Sequence, residues 1–122
     1  MGRFVLYADD DADDRASIEE TCKAMNVQLS IFFLENGTEV LAYLEALPAA
    51  DLPSLIILDL NMPRLDGRQT LQRLKAHPVF RQIPVVIVST SSSRLDREAC
   101  QFLGAKLFLS KPNSFAGWEK II

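Results

Sequence analysis

Asp9, Asp10 and Asp11 follow the apolar run from Phe4 to Tyr7, and Asp13 and Asp14 extend the cluster to five aspartates in six positions. Asp59 closes the run Leu55 to Leu58, Thr90 comes just after Val85 to Val88, and Lys111 just after Leu107 to Leu109. Each reactive residue thus stands at the end of a short run of branched or aromatic residues, which reads as strand. Strand ends that share one sheet converge on one rim, where open α/β sheets hold their ligands. Carboxylates of Asp9, Asp10 and Asp59 crowded there would repel by about 4 kcal/mol for a pair 4 Å apart at an effective dielectric near 20. Lys111 supplies a single positive charge, so a further cation is needed. An all-oxygen cluster with open positions suits a small hard divalent ion that keeps several waters, and Mg2+ is the natural candidate. With a metal, an ammonium and a hydroxyl around it, Asp59 is expected to accept a phosphoryl group. Thr90 would donate a hydrogen bond to that group and Lys111 would act as its fixed counter-charge.

The elements that must position these residues are legible in the hydrophobic pattern. A fifth apolar run, Leu29 to Leu34, ends at the turn signal Glu35-Asn36-Gly37 and is a weaker strand. Helical spacing joins Ile18, Cys22 and Met25; then Val40, Leu41, Leu44 and Leu47; then Leu71 and Leu74; then Leu95, Ala99 and Phe102. Asp13 or Asp14 is suited to cap the first helix, Pro48 to close the second, Gly67 to open the third, and Ser93 with Asp96 to form a capping box on the fourth, with Gly104 at its end. The tail through Ser114, Phe115, Trp118 and Ile121 resumes helical spacing for about two turns, leaving Ile121 and Ile122 available to a second protomer. Strands alternating with helices imply parallel βα units with right-handed crossovers, so helices cover both faces of one sheet. The expected architecture is a doubly wound (βα)5 sandwich.

Composition narrows the function classes. With 122 residues, 48% of them hydrophobic and 24% charged, the chain suits one domain with a core of its own, expected over residues 1–122. A net charge of −3 offers no basic stripe to a phosphate backbone, so nucleic acid is not an expected direct partner. No apolar run approaches the roughly 18 residues of a membrane span, and the acidic start excludes the apolar core of a secretory signal. The expected setting is cytoplasmic, with Cys22 and Cys100 as buried free thiols.

Four stretches carry a resemblance beyond these rules: FVLYADDDADDR at 4–15, LIILDLNMPRLDG at 55–67, PVVIVSTS at 84–91 and LGAKLFLSKP at 103–112. In order and spacing they resemble the receiver domains of two-component response regulators. The resemblance implies a flavodoxin-like strand order, 2-1-3-4-5. It implies phosphorylation on Asp59, Mg2+ binding by Asp10, Asp59 and the backbone carbonyl of Asn61, help from Asp9 through water, and contact of Thr90 and Lys111 with the phosphoryl group. It further implies a switch in which Thr90 moves toward that group while the aromatic at Phe108 turns inward. Phe108 stands where tyrosine is frequent in the family and brings no hydroxyl, and Ser91 stands where alanine is frequent. The implied donor is a sensor histidine kinase or histidine phosphotransfer protein, and the implied output is a downstream protein partner. LDLNMPRLDG and the short SKPNSF ending are similar to stand-alone receivers of phosphorelays or phytochrome-linked pathways.

Other readings of the same residues stay open. A Mg2+-dependent phosphohydrolase would use an Asp59 intermediate, although Asn61 stands where such enzymes need a second carboxylate. An unphosphorylated docking module would keep the fold without the chemistry. An EF-hand-like loop would draw on Asp9, Asp11, Asp13, Ser17 and Glu20, but Asp14 occupies its glycine position. The single histidine, His77, reads as structural.

Overall fold

Strand and helix alternate from Phe4 onward in the structure, a computed structural model that describes residues 4–24, 30–90 and 93–111. The strands are β1 (Phe4–Ala8), β2 (Ser30–Leu34), β3 (Leu55–Asp59), β4 (Val85–Ser89) and β5 (Leu107–Ser110). All pair in parallel, in the order β2-β1-β3-β4-β5. Four α-helices connect them among the described residues: α1 (Ala12–Ala24), α2 (Gly37–Glu45), α3 (Gly67–Ala76) and α4 (Arg94–Phe102). The flavodoxin-like order and the doubly wound architecture are as expected. The helix expected across Ser114 to Ile121 lies outside the described residues, as do Met25, Leu29 and Ser91.

Alternation along each strand divides the core in two. Leu6, Ile56, Leu58, Val85, Ile87 and Phe108 meet Val40 and Leu44 of α2, Leu71 and Leu74 of α3 and Cys100 of α4. On the opposite face Val5, Tyr7, Ile57, Val86 and Val88 meet Ile18 and Cys22 of α1. β4 is buried at all five positions, so the uninterrupted run Val85 to Val88 is a strand covered on both sides. Both cysteines are buried and free.

Two local expectations are corrected. Asp11, not Asp13 or Asp14, caps α1: its Oδ1 accepts from the Asp13 amide at 2.9 Å and the Asp14 amide at 3.4 Å. The helix begins two or three residues earlier than a cap at Asp13 or Asp14 would set it, which frees the side chain of Asp14. On α4, Leu95 and Phe102 are 77% and 91% exposed, and the buried residue is Cys100. Here the apolar spacing misleads, because one small buried side chain and the half-buried Leu103 suffice where α4 meets the sheet.

The turn from β3 into α3 is the tightest link near the rim. Asp66 caps α3 in a reciprocal box with Gln69, and the Gly67 amide bonds Leu60 O at 2.9 Å. A Cβ on Gly67 would press on the backbone oxygen of Asp59 and lie 2.8 Å from Leu60 Cα, both rigid neighbours. Gly67→Ala is therefore expected to destabilise the chain by about 1–3 kcal/mol in urea unfolding, since backbone must move to admit the methyl. A variant within about 0.5 kcal/mol of wild type would show that the turn relaxes freely.

Candidate functional site

The carboxyl ends of β1, β3 and β5 deliver the site. Ala8 pairs with Leu58, and Asp59 pairs with Val88, so Asp9 and Asp59 emerge side by side from neighbouring strands. β5 lies beyond β4 from β3, and the Lys111 amide is tied to Ser89 O at 2.8 Å. From there the lysine side chain reaches back over the end of β4. Its Nζ lies 3.0 Å from Asp9 Oδ2, 3.2 Å from Asp59 Oδ2 and 2.7 Å from Asp14 Oδ2. The expected convergence of Asp9, Asp59 and Lys111 is therefore observed, and Asp14 joins them.

Asp9 is fully buried, and both its oxygens are engaged. Oδ1 accepts from the Asp11 amide at 2.9 Å, while Oδ2 accepts from Tyr7 Oη at 3.2 Å as well as facing Lys111. Asp59 is 4% exposed, with Oδ1 accepting from the Asn61 amide at 3.3 Å. Asp10 is exposed, yet one oxygen from each of Asp9, Asp10 and Asp59 falls within 4.8 Å of the others. Such a hard, all-oxygen and excessively negative donor set is capable of coordinating a divalent metal such as Mg2+.

Charge crowding shows in the ionisation of Asp59, Lys111 and Tyr7. Burial, reinforced by the charge of Asp9 and only partly countered by Lys111, pushes the Asp59 carboxyl from 3.8 up to about 7. For Lys111, burial opposes the charge, but hydrogen bonds to Asp14 and Asp9 and the charges of Asp59 and Asp9 outweigh it, so its pKa is raised. Burial and the Asp9 charge raise Tyr7 far above the usual phenol value, which keeps its hydroxyl a donor to Asp9.

The remaining expected residues are placed less directly. Thr90 follows β4 and is exposed, and among the described residues its hydroxyl makes no hydrogen bond to Asp59. Asn61 is exposed just beyond Asp59. Phe108 is already inward, 4% exposed, with the Arg97 guanidinium carbon 5.3 Å from its ring centroid. His77 is structural: Nδ1 accepts from the Val79 and Phe80 amides, and its ring stacks on Phe80.

Asp14, Tyr7 and Arg97 were not singled out as site residues in the sequence. Asp14 had a sequence signal, since it lies four residues after Asp10 on the same helix start, but its acidity fitted a cap equally well. Tyr7 reads as one more apolar strand residue, and the reach of Arg97 to Phe108 depends on how α4 is turned.

The raised Asp59 carboxyl sets the direction of a pH effect. Ionising Asp59 costs more in the folded chain than in the unfolded one, so metal-free protein loses stability as pH rises from about 4 to about 7. Asp59→Asn lacks that group. In EDTA the variant should be the more stable at pH 8, by on the order of a few kcal/mol, with the gap closing toward pH 4. Urea unfolding across this range checks it, and a wild type at least as stable as the variant at pH 8 would contradict the charge-crowding account.

Known proteins share this arrangement of strands and carboxylates. Residues 5–122 match the response regulator receiver domain family. Response regulator Rcp1 of Synechocystis sp. is 28% identical over 123 residues, covering 98% of this chain and 84% of Rcp1. Two-component response regulator ARR15 of Arabidopsis thaliana is 34% identical over 124 residues, covering 96% of this chain but 59% of that protein. The Mn2+-bound structure of Rcp1 superposes with a TM-score of 0.87, at 28% identity, over 98% of this chain and 91% of that one. Response regulator RPA3017, of red-light signalling in R. palustris, gives a TM-score of 0.87 at 28% identity, over 98% and 88%. The chain belongs to the response regulator receiver domain family, a phosphorylation-dependent signalling module whose aspartate cluster accords with a Mg2+-dependent phosphoaspartate switch.

Proposed function

We propose that Asp59 accepts a phosphoryl group from a phosphohistidine donor, and that this modification changes the surface the domain, read as spanning residues 1–122, presents to a downstream protein. The observation that carries the reading is the hub at Lys111, whose ammonium lies 3.2 Å from Asp59 Oδ2 beside three carboxylates gathered within 4.8 Å. In the transfer the P–N bond to the donor imidazole breaks, a P–O bond forms to an Asp59 oxygen, and the released nitrogen takes up a proton. In this reading Lys111 faces the charge on the equatorial oxygens, and Thr90, just after β4, donates to one of them.

Asp10, Asp59 and the carbonyl of Asn61 would hold Mg2+. Asp9 would act through water, because its oxygens already serve Tyr7, the Asp11 amide and Lys111. When bound, the ion supplies charge neutralisation between the carboxylates and the incoming phosphoryl oxygens. The site is suited to modifying its own aspartate and not to turning over outside substrates, since the exposed Asn61 offers no carboxyl as general acid or base. Structures of the Mn2+-bound Rcp1 and of the phosphorylated phytochrome regulator RcpA, 28% and 29% identical to this chain, support the metal and the modification. The second is a phytochrome response regulator, which supports a phytochrome-linked setting; the donor in this reading is a sensor histidine kinase or a histidine phosphotransfer protein. Among the described residues no helix is long and apolar enough to cross a membrane, and a cytoplasmic location suits this pathway.

Incubation with acetyl phosphate or phosphoramidate, followed by intact mass, tests the reading. A single gain of about 80 Da, the mass of one phosphoryl group on a carboxylate, is expected with Mg2+ and not with EDTA. Asp59→Asn should show no gain while unfolding cooperatively. Incorporation by that variant at the wild-type rate would remove Asp59 from the acceptor role, and repeated turnover of a generic phosphomonoester would favour a hydrolase.

A further inference from the structure

The first turn of α1 sets Asp14 beside the site but outside the carboxylate trio that gathers around the metal position. Its Oδ2 is 2.7 Å from Lys111 Nζ, shorter than the lysine's contacts of 3.0 Å with Asp9 and 3.2 Å with Asp59. An ammonium has three protons to donate. Lys111, whose side chain is only 7% exposed, thus donates a hydrogen bond to Asp14 and pairs with Asp9 and Asp59 as ions.

The three acceptors differ in how firmly they are held. Asp9 is fully buried and fixed by Tyr7 and the Asp11 amide. Asp59 is the residue to be modified, and its other oxygen accepts from the Asn61 amide. The Asp14 side chain is 25% exposed, and Lys111 is its hydrogen-bond partner among the described residues.

We propose that Asp14 is a positioning residue that retains Lys111 in the unphosphorylated chain and competes with a phosphoryl group on Asp59 for its ammonium, lowering the affinity of the site for that group. The inference rests on the acceptor role of Asp59 argued above. Once Asp59 carries a phosphoryl group, its bridging oxygen is no longer charged, and the phosphoryl oxygens become the strongest acceptors in reach of Lys111. The donor that faced Asp59 turns to a phosphoryl oxygen, and the dianion draws the ammonium away from its other two carboxylates. Asp9 is pinned from two other sides, so Asp14 is the contact that yields. Its carboxylate is then left near a dianion with its counter-ion drawn away, and that repulsion burdens the phosphorylated state alone.

Beryllofluoride, a phosphoryl mimic that binds a carboxylate oxygen, reads this competition directly. The full chain is titrated at a Mg2+ concentration that no longer affects the result, following the bound 19F resonance, with circular dichroism to confirm the fold. Asp14→Asn is expected to bind about three- to tenfold more tightly than wild type. Asp14→Glu, which keeps the charge, should stay near wild type. Asp13→Asn makes the same charge change on the exposed neighbouring position, which has no contact with Lys111, and should stay within about twofold. No gain or a loss for Asp14→Asn, or an equal gain for Asp13→Asn, overturns the proposal while leaving the acceptor reading intact. A wild type that binds no beryllofluoride would instead sink the acceptor reading, and this inference with it.

Discussion

One ammonium holds together a rim that carries more negative charge than it can bury unaided. Lys111 leaves β5, crosses the end of β4 and meets carboxylates from β1, β3 and α1 at 2.7–3.2 Å. Strands in a sheet are spaced by about 4.8 Å, so only a long, unbranched cation starting two strands away spans that gap. The sheet order supplies the rest. With β3 between β1 and β4, residues 9, 59 and 111, each far from the others in sequence, share one end of the fold. β4 contributes by staying out of the way: its last residue is the small, fully buried Ser89, whose carbonyl anchors the backbone of Lys111.

Compensation by Lys111 is deliberately incomplete in its physical effect. Asp59 stays reluctant to ionise because Asp9 and burial outweigh the lysine. The same imbalance that makes the bare rim costly suits it to a divalent cation, which Asp9, Asp10 and Asp59 are close enough to share. The donors around Asp9 act in the same sense. Tyr7 from below and the Asp11 amide from the α1 start fix its carboxylate, so strand, cap and site form one hydrogen-bonded unit. Reactivity and cation dependence thus follow from one shortage of positive charge.

Much of this was readable in the sequence because it depends on local pattern. Short apolar runs ended by aspartate, threonine or lysine fix the strands, and parallel topology then forces their ends together. What escaped depends on tertiary placement. Whether α1 begins at Ala12 or at Arg15 decides if Asp14 faces Lys111 or caps the helix, and both readings suit the same acidic string. Tyr7 looks like any strand aromatic, and only the structure shows that its hydroxyl reaches Asp9, two residues on along the same side of the chain. On α4 the periodic Leu95 and Phe102 pointed to the wrong face, since burial there is carried by Cys100 and Leu103.

That orientation of α4 bears on how a signal leaves the site when residue 108 has no hydroxyl. Phe108 is buried against Cys100, three residues from Arg97, whose guanidinium lies 5.3 Å above the ring. Rotating the ring would disturb both contacts, the second worth about 0.5–1 kcal/mol at an exposed cation, and both belong to α4. The first turn of α4 is also tied to α3 by the Arg68–Asp96 ion pair at 2.9 Å. Helix α3 in turn begins at Gly67, packed on the backbone of Asp59 and Leu60. Helix α4 is therefore fixed at two points, on the face of the Phe108 ring and, through Arg68, on the helix that starts against Asp59. None of these contacts uses a hydroxyl at residue 108, so the phenylalanine ring face and α3 hold α4 in place without one.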